Sequence, residues 1–504
     1  MTDMHDAVQS EAVPGGADAR RAAPAQARIT SGALRGTVEQ GIERYLGVPY
    51  AAAPFGELRF AAPVPHPGWA GERDASAHGP TAPQAPYGGG LERLLPTVEI
   101  PGDEILSANV WTPAERIASG RPVLVWIHGG SLAHGSNALG AYDGTPFARD
   151  GIVFVGLNYR LAAEGFSVLA DAPLNLGLAD VLRGLEWVRE EIAAFGGDPD
   201  RVTVAGQSAG GNLVAALLGN PVARRLMRRA IVQSGPLAVK PVEDAGRITR
   251  LMAKQLGVPA TRAGFASRTP AELVEAQRVV TAGSTPITGG AGFAIAEDGE
   301  LVAAQPEAKL RDGCADRVEL LIGATREEYR LWMAPTGLLE RIGRVHLAAA
   351  RLKFRISGRT VARYRRNRPG ARVSEIFGAL ATDLLLRLPL VRAADARATR
   401  EAPTWVYEFD WSSPVESLGS AHAMELGFVF DLLGTPDAVA ITGAGAPQRL
   451  ADEMHRSWAA FVADGDPGWP RWDGRRLVRV FGERPGEVAP LPRADEVAVW
   501  SEST

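Results

Sequence analysis

The chain has 504 residues, of which 46% are hydrophobic and 22% charged, so it has ample apolar material for a large globular core. Its formal net charge of -4 leaves no global basic field to hold nucleic acid or an anionic membrane surface, so we expect neither as a partner. The single cysteine, Cys314, excludes an intramolecular disulfide and favours a reducing compartment.

The N-terminal segment does not resemble a signal peptide. Residues 1–28 are polar and rich in Ala, Pro and Gly, and the paired Arg20-Arg21 is not followed by an apolar stretch. No window of the chain is apolar over the length needed to cross a bilayer. We therefore expect a cytoplasmic protein with a disordered leader at 1–28 and a single domain at 29–504.

Beyond the leader, the hydrophobic pattern predicts alternating strands and helices. Residues 29–51 alternate like a small hairpin, and residues 61–103 are dense in Pro and Gly, as in a surface loop. Apolar runs then predict strands buried on both faces, and apolar residues at three- and four-residue steps predict amphipathic helices. The predicted elements are strands at 123–129, 152–159, 201–206, 229–235, 318–324 and 404–410, and helices at 175–195 and 209–219. This order predicts an α/β fold with a central, mostly parallel sheet flanked by helices.

A helical insert is predicted around residues 336–400, between the last two predicted strands. It carries a basic stretch at 351–372. Such a run can bind an anionic group, but we interpret it as a solvated helix face or the surface of a lid.

The strongest chemical signal is Gly206-Gln207-Ser208-Ala209-Gly210, which fits the G-x-S-x-G elbow of serine hydrolases. It follows a predicted strand and precedes a predicted helix, which is the context that the motif requires. The sharp turn lifts the serine hydroxyl above the sheet edge, and the small flanking residues let strand and helix approach closely. The alternative interpretation is an ordinary tight turn. We predict Ser208 as the nucleophile.

Acyl transfer also requires donors aimed at the position where the carbonyl oxygen becomes negative. The loop after the strand at 123–129 reads His128-Gly129-Gly130-Ser131, and its glycines allow main-chain N–H groups to approach a substrate. We predict an oxyanion hole formed by the N–H groups of Gly130, Ser131 and Ala209. We interpret His128 itself as structural.

Several runs occur together in one order along nearly the whole chain, from about residue 29 to residue 490. They are YLGVPYAAAPFGELRF (45–60), NVWTP (109–113), PVLVWIHGG (122–130), LNYRL (157–161) and NLGLADVLRGLEWVREEIAAFGGDPDRVTVAGQSAGG (175–211). In these runs the chain resembles the type-B carboxylesterase family, which includes the para-nitrobenzyl esterases and the cholinesterases. The resemblance implies an α/β-hydrolase fold with helical lid regions.

The resemblance also implies a triad of Ser, Glu and His in that chain order. Ser208 is the first member. The acid of the family ends a strand in a Gly-Thr-Asn-x-Asp-Glu-Gly pattern, and GATREEY at 323–329 aligns Glu328 with it. Glu327 takes the place of the family's Asp, so a contribution from Glu327 stays open at this stage.

The base of the family lies in a Gly-x-x-His-x-x-Glu/Asp pattern, which GSAHAMELGFVF at 419–430 matches. This implies that His422 is the base and that Glu425 supports it. Ser234, in VQSG, matches a serine that supports the triad from behind in relatives.

The chain departs from the family pattern at three places. The halves of a disulfide that relatives often carry align with Ala82 and Ile105, so that bridge is absent. Ser131 stands where the oxyanion loop usually has Gly or Ala, and its side chain narrows the site against bulky tertiary-alcohol esters. Tyr329 replaces the glycine that follows the acid, so the local turn is expected to differ.

We therefore expect a serine carboxylesterase that acts on small-molecule esters with modest apolar acyl or aryl parts. An amidase or carbamate hydrolase with the same triad is an alternative, because the fold and the triad permit both. A non-catalytic binding protein is a more remote alternative. No Cys/His cluster has ligand spacing, and the mechanism requires neither a metal nor an organic cofactor. The oligomeric state does not follow from the sequence.

Overall fold

The structure is a computed structural model that describes residues 23–285 and 289–501. Within these ranges thirteen strands form one sheet, and two short strands form a second. In chain order the strands are β1 (Ala23–Ile29), β2 (Gly32–Glu39), β3 (Ile42–Pro49), β4 (Glu72–Asp74), β5 (Ser107–Pro113), β6 (Arg121–Ile127), β7 (Val153–Leu157), β8 (Gly197–Gln207), β9 (Arg229–Gln233), β10 (Lys240–Pro241), β11 (Ala296–Glu297), β12 (Glu319–Thr325), β13 (Thr404–Phe409), β14 (Leu477–Phe481) and β15 (Val488–Pro490).

The large sheet has the order β1-β2-β3-β5-β7-β6-β8-β9-β12-β13-β14-β15, with β4 paired to β2. From β7 to β14 each neighbouring pair is parallel, whereas β1, β2, β3, β5 and β15 join antiparallel to their neighbours along this order. The centre is therefore the predicted parallel sheet, extended at both edges by antiparallel strands. In a parallel sheet all carboxyl ends meet at one edge, which is where α/β folds build their sites.

Helices connect and cover these strands. In chain order they are α1 (Thr145–Arg149), α2 (Ala162–Phe166), α3 (Leu176–Glu191), α4 (Ala209–Gly219), α5 (Val242–Ala245), α6 (Arg247–Leu256), α7 (Arg262–Ala266), α8 (Pro270–Val280), α9 (Pro306–Arg311), α10 (Arg330–Met333), α11 (Leu338–Arg341), α12 (Arg344–Lys353), α13 (Gly358–Asn367), α14 (Val373–Thr382), α15 (Leu388–Ala398), α16 (Leu426–Val429), α17 (Pro436–Thr442), α18 (Gln448–Asp464) and α19 (Ala494–Ser501). A π-helical turn, Asp383–Arg387, joins α14 to α15.

Each face of the sheet has its own hydrophobic core, because successive side chains of a strand point to opposite faces. On β6, Val123 and Val125 pack in one core, with α3 and α4. Leu124 and Trp126 pack in the other, with α18. Burial on both faces explains why the central strands are continuous apolar runs in the sequence. Their observed ends differ from the predicted ones by no more than four residues.

Ordered structure begins earlier than the sequence predicted. Residues 23–28 were expected to belong to a disordered leader, but they form most of β1, which pairs antiparallel with β2. The prediction was wrong there because the inward positions include Ala25 and Ala27, whose small side chains give little hydrophobic alternation. The remainder of the predicted leader, residues 1–22, lies outside the described residues.

Candidate active site

Ser208 lies between the end of β8 and the start of α4, in the left-handed half of backbone space with φ 58° and ψ -122°. The flanking glycines permit this bend. A Cβ on Gly206 would lie 2.5 Å from the carbonyl carbon of Gly210, and a Cβ on Gly210 would lie 2.0 Å from the main-chain oxygen of Ile127. Real Cβ contacts are not this short, so glycine is required at both positions for α4 to pack onto β6 and β8.

The predicted oxyanion donors line the same cavity as Ser208. Gly130 has φ 119°, and the exposed Ser131 has φ 55°. A Cβ on Gly130 would lie 2.0 Å from the carbonyl oxygen of His134, so this tight turn also needs glycine. Among the described residues, no atom accepts a hydrogen bond from the main-chain N–H of Gly130, Ser131 or Ala209. These three N–H groups are therefore available to a ligand.

His422 and Glu328 are 94 residues apart in sequence and hydrogen-bonded in space, through Nδ1 of the imidazole and Oε2 of the carboxylate. Both side chains are almost completely buried. The other carboxylate oxygen of Glu328 accepts a hydrogen bond of 2.8 Å from the main-chain N–H of Thr325, at the end of β12. This arrangement orients the imidazole so that Nε2 points away from the carboxylate.

The structure separates the two adjacent glutamates. Glu327 has one carboxylate oxygen 2.8 Å from the guanidinium of Arg330, and the other accepts a 3.2 Å hydrogen bond from the N–H of Ser420. It is therefore engaged away from His422. Tyr329, which replaces the family glycine, is buried where a Cβ on Gly378 of α14 would clash with its ring. The absent side chain at 378 thus makes room for the tyrosine.

Gln207 was missed as a site residue by the sequence analysis. Its side chain is 2% exposed, and its Nε2 lies 3.2 Å from Nε2 of His422. With Nδ1–H donated to Glu328, Nε2 of the neutral imidazole is an acceptor, so the amide is its donor. The structure records no hydrogen bond between Ser208 and His422 among the described residues. The only sequence signal for Gln207 was its place in the elbow motif.

Ser234 and Glu425 are buried residues that carry side-chain oxygens without a partner. One carboxylate oxygen of Glu425 is 3.3 Å from the amide of Gln233, which in turn accepts a hydrogen bond from the indole of Trp458. In the described part of the chain, Oε2 of Glu425 and Oγ of Ser234 have no hydrogen-bond partner. Burial, followed by the negative charge of Glu328, raises the pKa of Glu425 to about 7.

Ser208, His422 and Glu328 all border a cavity of about 1230 Å³. Its wall also includes Trp332, whose ring lies 4.6 Å from that of His422. The other apolar lining residues come from several elements and include Leu94, Leu139, Tyr142, Val239, Phe293, Leu331, Leu338, Leu385, Leu426 and Ile441. A largely apolar pocket that ends at a few polar groups is typical of a small-molecule site.

His128 has the structural environment that the sequence suggested. It is buried, stacks on Tyr159 with ring centroids 4.5 Å apart, and its Nδ1 is 2.8 Å from the oxygen of Gly129. Burial lowers the pKa of His128 to about 4.

Residues 23–285 and 289–501 contain no group of three or more His, Cys, Asp or Glu side chains that could hold a metal ion. No helix among them combines the length and the apolar character that a membrane crossing needs.

Comparisons with known proteins identify the family and the fold. Residues 23–476 match the model of the carboxylesterase family. The chain is 36% identical to phenmedipham hydrolase of Pseudarthrobacter oxydans, over 94% of this chain and 98% of that protein. It is 34% identical to para-nitrobenzyl esterase of Bacillus subtilis, over 88% of this chain and 91% of that protein. The crystal structure of a Geobacillus stearothermophilus carboxylesterase superposes with a TM-score of 0.84 at 33% identity, over 94% of this chain and 99% of that one.

Proposed function

The chain belongs to the carboxylesterase family and is a carboxylic ester hydrolase of the α/β-hydrolase fold; from this premise we propose that Ser208 is its nucleophile, His422 its base and Glu328 the acid that orients the base. One observation carries the proposal. Ser208, on a strained bend, borders the same cavity as an imidazole whose Nδ1 is bound by a buried carboxylate. That is the arrangement that activates a hydroxyl for covalent catalysis.

The proposed reaction has two halves. The hydroxyl oxygen of Ser208 attacks the ester carbonyl carbon while its proton passes to Nε2 of His422. The bond to the alcohol then breaks, and His422 returns the proton to the leaving oxygen. Water, deprotonated by His422, attacks the acyl carbon in the same way, so the acid is released and Ser208 regains its proton. Glu328 favours the charged imidazolium formed in each half.

The N–H groups of Gly130, Ser131 and Ala209 are the proposed oxyanion donors. They donate to no acceptor in the described part of the chain and border the cavity beside Ser208. Ala209 is also the first residue of α4, where the helix dipole adds positive potential. Since main-chain donors are already in place, they do not reorganise as charge develops. Loss of one such donor typically lowers the rate by about 100- to 1,000-fold.

We propose small-molecule esters with apolar acyl or aryl parts as substrates. The cavity exceeds the common range for small-molecule sites, roughly 300–1,000 Å³, so extended esters fit it. The relatives' names make para-nitrobenzyl esters the first esters to test, and phenmedipham, a carbamate, the first test of the carbamate alternative. Rates on a matched aryl ester, anilide and carbamate rank the esterase against the amidase and carbamate alternatives. A protein that hydrolyses the anilide or the carbamate fastest overturns the ester assignment.

We propose a cytoplasmic location, because the single cysteine, Cys314, permits no intramolecular disulfide and this favours a reducing compartment. This thiol is half-buried, and its Sγ lies 3.6 Å from the carbonyl oxygen of Leu218. Burial raises the pKa of the thiol, so it is a poor nucleophile. Fractionation of the source cells tests the location.

The nucleophile assignment is tested with Ser208→Ala and a matched control. We expect Ser208→Ala to lose hydrolysis of an aryl acetate and to form no adduct with an organophosphate, while its melting curve is unchanged. Ser131→Ala is the control, because Ser131 also borders the cavity but contributes only its N–H to the proposal. It should retain the adduct, located by mass spectrometry on the peptide that contains Ser208. Full activity in Ser208→Ala would exclude the proposed mechanism and would leave the non-catalytic alternative for this elbow.

A further inference from the structure

Helix α12 (Arg344–Lys353) has an apolar stripe that faces solvent. Leu347 is its buried anchor, whereas Val345 and Leu352 are 80% and 86% exposed, the highest values among the exposed large hydrophobic residues. They are seven residues apart, and the exposed Ala348 and Ala349 lie between them, so the four residues follow one side of the helix. Phe354, 49% exposed, follows immediately after the C-terminal end of the helix. A stripe of this kind normally faces a partner.

Cations surround the stripe without carboxylate partners. No Asp or Glu occurs from residue 341 to residue 374. Arg344, Lys353 and Arg355 are exposed and form no ion pair with any described residue, although other arginines of the insert, such as Arg363, do pair with acids. We call Arg344, Val345, Leu352, Lys353, Phe354 and Arg355 the α12 surface. The two acids nearest in sequence pair with other arginines, Glu340 with Arg372 and Glu375 with Arg330.

We propose that the α12 surface binds an anionic lipid bilayer, with its apolar side chains in the headgroup boundary and its cations on the lipid phosphates. Peripheral helices bind membranes through this combination of an apolar stripe and flanking Lys and Arg side chains. The net charge of -4, from which the sequence analysis expected no membrane partner, does not oppose it. Screening limits the field of distant acids to about 10 Å, so the local charge governs.

Two other partners fit the α12 surface less well. A second copy docked by two-fold symmetry would bring the same six residues together, and Arg344, Lys353 and Arg355 of each copy would face like charges. A nucleic acid would bind the cations but would leave Val345, Leu352 and Phe354 without apolar contacts. An anionic bilayer offers contacts both to the apolar side chains and to the cations of the α12 surface.

The α12 surface is close in sequence to residues that line the cavity. Thr336, Leu338 and Arg341 border the cavity, and α12 begins at Arg344, three residues beyond Arg341. Membrane binding would therefore hold the helical insert, on which these residues lie, at the lipid surface. Apolar esters concentrate in that phase, so binding would raise their local supply. This consequence rests on the proposed function; the binding itself does not.

Vesicle co-sedimentation tests the proposal with the full chain. The parent is mixed with phosphatidylcholine vesicles and with vesicles of phosphatidylcholine and phosphatidylserine, at low and high salt. We expect binding to the anionic vesicles only, weakened by salt. Because each basic residue at the surface contributes roughly five-fold, Arg344→Glu, Lys353→Glu and Arg355→Glu together should weaken binding by at least about 100-fold. Leu352→Glu with Phe354→Glu should also abolish it.

The matched control reverses three other exposed arginines without recorded ion pairs, through Arg225→Glu, Arg317→Glu and Arg456→Glu. It has the same net charge as the first variant and should bind like the parent. Hydrolysis of a soluble aryl acetate should be unchanged in all three variants, which shows that they fold.

Equal loss of binding in the control would overturn the proposal. So would a parent that ignores anionic vesicles but binds duplex DNA, or one that forms a dimer which Leu352→Glu dissociates. A parent that binds anionic vesicles but keeps full ester hydrolysis after Ser208→Ala would contradict the proposed function alone.

Discussion

The side-chain amide of Gln207 lies 3.2 Å from Nε2 of His422, so the residue that precedes the proposed nucleophile contacts the proposed base. The amide is neutral, and both groups are buried beside the cavity. An imidazole in this position gains a proton during the proposed reaction, and its stability in the charged form depends on the charges around it. Gln207 thus adds a donor to Nε2 but no charge.

Gln207→Glu should shift the acidic limb of the pH–rate profile to higher pH. A carboxylate beside Nε2 favours the protonated imidazole, so a higher pH is needed to deprotonate the imidazole and make it available as the base. The measurement is kcat/KM for an aryl acetate against pH. Gln207→Met is the control, because it removes the amide donor without adding charge, so it should move the acidic limb much less than Gln207→Glu does. Identical profiles for Gln207→Glu and the parent would exclude the contact as a functional one.

The adjacent glutamates should differ sharply in their effect on rate. Glu328→Gln removes the charge that orients His422, and the corresponding change in a serine triad lowers kcat by about 10,000-fold. Glu327→Gln removes a partly exposed ion pair with Arg330, which contributes about 1 kcal/mol or less to the free energy of unfolding. Its kcat should therefore stay within about five-fold of that of the parent. Steady-state kinetics of both variants make the comparison. The reverse order would assign the acid to Glu327.

Gly210→Ala should damage both stability and activity. The new Cβ would lie 2.0 Å from the oxygen of Ile127 and 2.7 Å from that of His128, so α4 must move away from β6. We expect a loss of about 1–3 kcal/mol in the free energy of unfolding and about 100-fold in kcat, because Ser208 moves with α4. Gly219→Ala, at the other end of α4, would meet only Cγ and Cβ of Lys309 among the described residues, at 3.5 and 3.8 Å, and should be neutral or stabilising. Chemical denaturation and kinetics measure both.

Glu425→Gln should flatten the pH dependence of stability. In the folded protein the pKa of Glu425 is raised to about 7 from its ordinary 4.5 by burial, so between these values the folded state binds more protons than the unfolded state. The stability that the protonated carboxyl contributes is thus fully present below about pH 4.5 and is lost as pH rises through about 7. A glutamine at this position stays neutral at every pH, so the variant should not lose this stability as pH rises. Between about pH 5 and about pH 8 the parent should lose on the order of 3 kcal/mol more of its unfolding free energy than the variant loses. Parallel curves of unfolding free energy against pH would refute this.

Arg160→Met should destabilise the protein strongly without touching the site. Arg160 and Asp180 are both fully buried, and their guanidinium and carboxylate groups are joined by hydrogen bonds of 2.8 and 2.6 Å. Removal of the cation leaves a buried carboxylate unpaired, at a cost of about 3–5 kcal/mol. Arg160→Met with Asp180→Leu should recover part of that loss. If the double variant is less stable than the single one, the unpaired charge is not the cause.

The sequence predicted elements best where their signal was local and strong. The strands β6, β8, β9, β12 and β13 are apolar runs buried on both faces, so their positions could be inferred directly. The strand β1 was missed because alanines carry little strand signal. The type-B carboxylesterase resemblance, seen in short runs of residues, was confirmed by the family match and by the relatives.

The bend at Ser208 could be predicted from five consecutive residues, because the glycines that it requires are neighbours of Ser208 in the sequence. The family resemblance supplied Glu328 as the partner of His422, but the contacts of Gln207 and Trp332 with that imidazole did not follow from the order of the residues. These side chains come from segments far apart in the chain. Packing alone turned Glu328 toward the imidazole and Glu327 toward Arg330, and packing alone brought the Gln207 amide and the Trp332 ring onto His422. Such contacts depend on how sheet and helices are assembled in three dimensions, where one residue of register changes which side chain faces the cavity.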